Sequence, residues 1–133
     1  MGTVAFSDIQ KFAADVGREF LPDKVILFGS YAKGDAGVES DVDLLVVMPD
    51  DVSGVRVAVD ILTRLKPTLP VELVVRSSRQ IRERLAMNDY FLKEIIATGK
   101  ELYAAPHRLM DSQGSRRSGY STARTARSLG SKL

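Results

Sequence analysis

Gly29-Ser30 and, after ten intervening residues, Asp41-Val42-Asp43 are the residues of this chain whose types and spacing can do chemistry. Gly29 lacks a Cβ, so the backbone there can approach a ligand or take a strained turn. Ser30 reads as the N-cap of a short helix through Tyr31, Ala32 and Lys33, and the start of a helix is an anion site. The pair is therefore a candidate cradle for a triphosphate. In a strand alternate side chains share a face, so Asp41 and Asp43 point the same way. Two carboxylates beside a phosphate turn repel each other unless a hard cation separates them. Mg²⁺ suits that arrangement, being held by one or two carboxylates and by substrate phosphates. Taken singly, Gly-Ser is a common turn and Asp-x-Asp a common solvated strand end. Their joint spacing carries the reading. Lys33 reads either as a ligand of a phosphate oxygen or as an exposed loop charge, and Tyr31 either as a stacking ring or as packing over the turn.

The elements that must position these groups are legible on either side. Residues 24–28, Lys-Val-Ile-Leu-Phe, form an apolar, partly β-branched strand that ends at Gly29. The polar loop 34–40 returns the chain into a second strand over residues 41–47. Residues 71–75 make a third short apolar strand with a single acid, Glu72, which completes the site if that strand lies beside the Asp41 strand.

At these residues the chain resembles the nucleotidyltransferase superfamily that includes DNA polymerase beta, and within it the minimal nucleotidyltransferases of prokaryotes. The matching stretch runs Phe28-Gly29-Ser30-Tyr31-Ala32-Lys33-Gly34 through Ser40-Asp41-Val42-Asp43-Leu44, and the wider resemblance covers residues 5 to 104. The resemblance implies that Gly29 and Ser30 hold the nucleotide's phosphates, that Asp41 and Asp43 bind metal, and that Glu72 is the third carboxylate, acting toward the acceptor hydroxyl. Aspartate is usual at that third position, so Glu72 departs from the pattern by one methylene.

The remainder reads as scaffold. Residues 7–20 form a helix, with Ser7 and Gln10 spaced as a capping box and Ile9, Phe12, Ala13, Val16 and Phe20 along one face. Residues 53–65 form a second helix with Val55, Val59, Leu62 and Leu65 as its apolar positions, closed before Pro67. A capped helix follows from Ser77, with Gln80 three residues on. A last helix begins at Asn88, buries Phe91, Leu92, Ile95 and Ile96, and stops at Gly99 as its C′ residue, before an edge strand over residues 100–103. These alternating elements predict one α/β (α+β) domain over residues 1–104 around a small mixed sheet, the polymerase-beta-like nucleotidyltransferase fold. There is room for one core and no second lobe, so a partner, or a second copy in a homodimer, must supply the acceptor pocket.

Residues 105–133 are rich in Arg, Ser, Gly and Ala, lack apolar periodicity, and read as a disordered basic tail. From residue 106 onward the chain holds six Lys or Arg against one acid, whereas residues 1–105 hold thirteen against sixteen. The basic pI of about 9.0 therefore belongs to the tail and argues against a nucleic-acid-binding face on the domain. His107, the only histidine, lies in the tail and reads as solvated. The terminal Ser131-Lys132-Leu133 matches a peroxisomal address in three residues, which carries no meaning in a prokaryote. No apolar run reaches the ~20 residues of a transmembrane helix, and the N-terminus lacks the layout of a signal peptide, which predicts a cytoplasmic protein. The chain has no cysteine, which excludes disulfides and thiolate metal sites.

Two functions from different classes fit. The first is transfer of a nucleoside monophosphate, AMP from ATP, to a hydroxyl acceptor, with two Mg²⁺ ions at Asp41, Asp43 and Glu72. The resemblance carries the acceptor further, to a tyrosine on a HEPN-type helical toxin encoded nearby. The second is a non-catalytic antitoxin or scaffold that binds and occludes such a partner. Transfer to a small molecule such as an aminoglycoside finds no matching pocket in the sequence.

Overall fold

The computed structural model describes residues 3–106. His107, the terminal Ser131-Lys132-Leu133 and the basic stretch around them lie outside the described residues.

Among the described residues nine elements follow one another: α1 (Phe6–Phe20), β1 (Lys24–Phe28), α2 (Ser30–Lys33), β2 (Val42–Met48), α3 (Gly54–Leu65), β3 (Val71–Ser77), α4 (Ser78–Ala86), α5 (Tyr90–Thr98) and β4 (Lys100–Ala104). The strands form one mixed sheet in the order β3-β2-β1-β4. β1 pairs antiparallel with both β2 and β4, and β2 pairs parallel with β3. The α/β architecture and the edge position of β4 agree with the sequence reading.

Because strand side chains alternate, the sheet carries two cores. On one face Val25, Leu27, Val42, Leu44 and Val46 pack with Ile9, Phe12 and Val16 of α1 and Ile61 of α3. On the other face Ile26, Leu45 and Val47 pack with Ile81 of α4 and with Leu92 and Ile95 of α5. Burial of each such side chain contributes about 1.5–3 kcal/mol, and Leu27, Leu44, Leu45 and Ile61 are fully enclosed.

Several local expectations are corrected. α1 begins at Phe6 with Ala5 as an uncapped N-cap, so Ser7 lies inside the first turn and makes no capping box with Gln10. In α3 the buried contact is Ile61, whereas Val55, Val59 and Leu62 are exposed. The helix is rolled so that Gly54 lies against β3, where a Cβ would meet the Val75 carbonyl. α5 starts at Tyr90, two residues after Asn88, with Asp89 as its N-cap. The Asp89 side chain accepts from the Leu92 N–H at 3.1 Å, and Asn88 takes φ 60° in the link from α4. Phe91 and Ile96 are about half exposed and only Leu92 and Ile95 are buried. Gly99 does follow α5, but its φ of −74° is not left-handed. It is needed for space, since a Cβ would come within 2.7 Å of Ile26 Cγ2.

The cap at Ser77 is as the sequence implied. The Gln80 N–H donates to Ser77 Oγ at 3.1 Å, and the Ser77 N–H donates to Gln80 Oε1 at 2.9 Å. Ser77 is 1% exposed, and its hydroxyl also donates to Asp51 Oδ1 at 2.7 Å. The Asp51 carboxyl is held below its ordinary pKa, first by hydrogen bonding to Arg79 and then by Ser77. Ser53 caps α3 by accepting from the Arg56 N–H at 3.2 Å, on the surface. Ser77→Ala is therefore expected to destabilise the fold by about 1–2 kcal/mol and Ser53→Ala by about 0.5–1 kcal/mol. Thermal denaturation of the two variants checks the order.

Candidate active site at the Gly-Ser turn and the carboxylate row

Sheet register assembles the site. In the antiparallel pair Phe28 lies opposite Asp43, and in the parallel pair Asp43 lies beside Glu72. Phe28, Asp43 and Glu72 thus form one row across three strands. Two residues further along each strand, Ile26, Leu45 and Val74 contribute to the core shared with α4 and α5. By alternation the row faces the same side of the sheet. Asp41 lies just before β2 begins at Val42, a one-residue correction to the strand predicted from residue 41. The sequence-predicted acids are thus neighbours at one end of the central strand.

Gly29 follows Phe28 with φ 77° and ψ −153°, and it, rather than Ser30, is the N-cap of α2. A positive φ at this turn is open to glycine and strained for a serine, which is why the cap falls one residue earlier than expected. The Gly29 carbonyl accepts from the Ala32 and Lys33 N–H groups, each at 3.1 Å. The Ser30 carbonyl accepts from the Gly34 and Asp35 N–H groups at 3.0 and 3.1 Å. The turn is held by its own carbonyls, and the first N–H groups of a helix have no intrahelical acceptor. A Cβ added at Gly29 would collide with Asp43 Oδ2 and lie 3.2 Å from Asp43 Cγ. The Asp43 carboxylate thus occupies the space that the missing side chain leaves, directly against the turn.

Three carboxylates at one sheet end act on each other. The Asp43 carboxyl is pushed above its ordinary pKa, first by burial, then by the charge of Glu72, then by that of Asp41. Asp41 and Glu72 are exposed. Among the described residues no three acids converge into a ready metal cage. Mg²⁺ does not require one, because it keeps waters and takes substrate phosphates as ligands. The donor set fits such an ion: oxygen donors only, mutual repulsion that a cation relieves, and a glycine-cleared approach to the neighbouring turn.

The remaining predicted residues fall as follows. Lys33 ends α2, and its Nζ lies 3.2 Å from Glu94 Oε2 on α5, both side chains being about half exposed. A surface pair of this kind contributes little stability. The Tyr31 hydroxyl accepts from the Val4 N–H at 2.9 Å and its ring packs on the first core, so it anchors the N-terminal segment. Sequence reasoning missed Phe91 and Glu94. Phe91 meets Phe28 edge to face, with centroids 5.6 Å apart and ring planes at 88°. Apolar spacing in α5 made Phe91 look like core. Its place at the rim follows from Phe28 pairing opposite Asp43, a long-range register.

Residues 9–97, about two thirds of the chain and including every residue of the row and the turn, match the model of the nucleotidyltransferase domain family. A protein of Methanocaldococcus jannaschii, designated a candidate protein adenylyltransferase, is 35% identical over 82 residues, which span 60% of this chain and 77% of that protein. Among solved structures, a chain of a toxin-antitoxin complex with AMP-PNP is 21% identical, with 78% of each chain covered and a TM-score of 0.48. A chain from the complex of a tri-AMPylated Shewanella oneidensis HEPN toxin with its MNT antitoxin is 20% identical, covering 78% of this chain and 74% of that one, with a TM-score of 0.43. With the family model matched over that span and the relative's length so largely covered, the chain belongs to the nucleotidyltransferase domain family.

Proposed function

We propose that this protein transfers an adenylyl group from ATP to a hydroxyl of a partner protein, a tyrosine of a HEPN-type helical toxin, and so silences that partner. The observation that carries the reading is the Asp43 carboxylate seated in the space left by Gly29, with Glu72 beside it in register. This contact supports a reading in which phosphates at the turn and oxygen ligands for a cation adjoin. The 35% identical relative's designation as a candidate protein adenylyltransferase supports both the adenylyl group and a protein acceptor. In the sequence the acceptor is carried by the resemblance to minimal nucleotidyltransferases.

Gly29 and Ser30 orient the β- and γ-phosphates through the start of α2, a contribution of positioning. Asp41, Asp43 and Glu72 hold two Mg²⁺ ions, which when bound polarise the α-phosphate, lower the acceptor hydroxyl's pKa and offset charge on the leaving pyrophosphate. The acceptor oxygen forms a bond to the α-phosphorus as the bond to the bridging oxygen of pyrophosphate breaks. Glu72 receives the hydroxyl proton or holds the acceptor side of the site. Lys33 exchanges Glu94 for a phosphate oxygen. The transferase comprises residues 1–104 with 105–133 as a basic extension, and it works in the cytoplasm, where ATP and Mg²⁺ are at hand.

A second reading, occlusion of the partner without chemistry, is favoured by the exposed stripe of Val55, Val59 and Leu62 on α3. α3 contributes to the core opposite the carboxylate face, so a partner could dock there without reaching the site. An Asp41→Asn, Asp43→Asn double variant that still neutralised the toxin in cells would favour occlusion.

Incubation with Mg²⁺, α-labelled ATP and the helical protein encoded beside the gene should add one adenylyl mass to a partner tyrosine. Asp43→Ala should lower that rate at least about 100-fold, since the acid acts on charge in the transition state. A variant that transferred label normally would sink the mechanism. Gly29→Ala should lose activity as well, through strain at φ 77° and displacement of Asp43. Linkage gives an independent check. A carboxyl whose pKa is raised in the fold costs stability when ionised, and the cost is relieved as pH falls through that raised pKa. Asp43→Asn should therefore melt higher than the wild type near pH 7 in chelator, with the difference closing at acid pH.

A further inference from the structure

We propose that the exposed ring of Phe91, braced by Phe28, is the platform on which the nucleobase of the nucleoside triphosphate stacks. The inference rests on the nucleotide reading above and adds to it the subsite for the base.

Phe28 is the cross-strand partner of Asp43, so its ring lies beside the carboxylate on the same face of the sheet. Phe91 lies on Phe28, with centroids 5.6 Å apart. The aromatic pair therefore begins one side chain away from the acids and the turn.

Phe91 is 53% exposed, while Leu92 and Ile95 of the same helix are each 3% exposed. Leaving an aromatic ring half in water at the rim of a site forgoes burial that α5 achieves at its neighbours, and a flat heteroaromatic ligand would recover it. The platform is also held in place. Asp89 caps α5 through the Leu92 N–H, and Leu92 and Ile95 fix its inner face against the sheet.

Other aromatic side chains near the turn do not offer the same surface. Tyr31 is tied to the Val4 N–H and packed on the first core. Tyr90 is more exposed, but Lys93 Nζ lies over its ring at 5.7 Å.

The test separates base from phosphates. Binding of AMP-PNP and of inorganic tripolyphosphate, each with Mg²⁺, is measured by calorimetry on the full chain. Phe91→Ala should weaken AMP-PNP about 5- to 100-fold and leave tripolyphosphate unchanged. Phe91→Trp should retain AMP-PNP, whereas Phe91→Leu, apolar but without a π face, should behave like the alanine variant. AMP-PNP binding that is unaltered in Phe91→Ala overturns the proposal, as does a parallel loss of tripolyphosphate, which would mark a structural role for the ring. A wild-type chain that binds neither probe overturns the nucleotide reading together with its base subsite, and is recognised by failing before any substitution.

Discussion

The backbone ladder on both sides of β2 is the constraint on which the rest of the structure depends. β2 is bonded antiparallel to β1 and parallel to β3, and the two registers meet at Asp43. A slip of one residue in either pairing would turn a strand's apolar set toward the wrong face, removing Leu44 and Val46 or Leu45 and Val47 from their cores. The hydrophobic effect therefore enforces the alignment that brings Phe28, Asp43 and Glu72 side by side. Nothing in the carboxylates themselves favours their meeting.

The site is assembled against its own electrostatics. Asp43 is partly withdrawn from water and faced by two further acids, and its carboxyl resists ionisation for both reasons. The two cores supply the stability that offsets this repulsion. Gly29 adds a second concession, because a backbone at φ 77° with no Cβ is the arrangement that lets a carboxylate rest on the turn. A cation would relieve the repulsion at Asp43, which is the physical sense in which this corner is prepared for a ligand. Elsewhere the fold satisfies its charges conventionally, as in the Ser77, Asp51 and Arg79 cluster that joins β3 to α4.

Two groups of exposed apolar side chains lie on opposite sides of the sheet. One is the rim at Phe91, on the carboxylate side of the sheet and connected to it through Phe28. The other is the stripe of Val55, Val59 and Leu62 on α3, which packs on the opposite face. The two groups therefore lie on opposite faces of the sheet.

The sequence by itself determined the strands, the turn, the spacing of Asp41 and Asp43 and the cap at Ser77. Each is local: β-branched runs, a glycine at a strand exit and a serine three residues before a glutamine carry their meaning within a few residues. The tertiary structure alone decided that β3 lies beside β2, that Gly29 rather than Ser30 caps α2, that α3 buries Ile61 and exposes Val55 and Val59, and that Phe91 stays half exposed against Phe28. These depend on how a helix rolls on a sheet and which strands become neighbours. Such outcomes follow from summed packing of residues distant in sequence, where every apolar side chain of a helix competes for a core that accommodates only some of them.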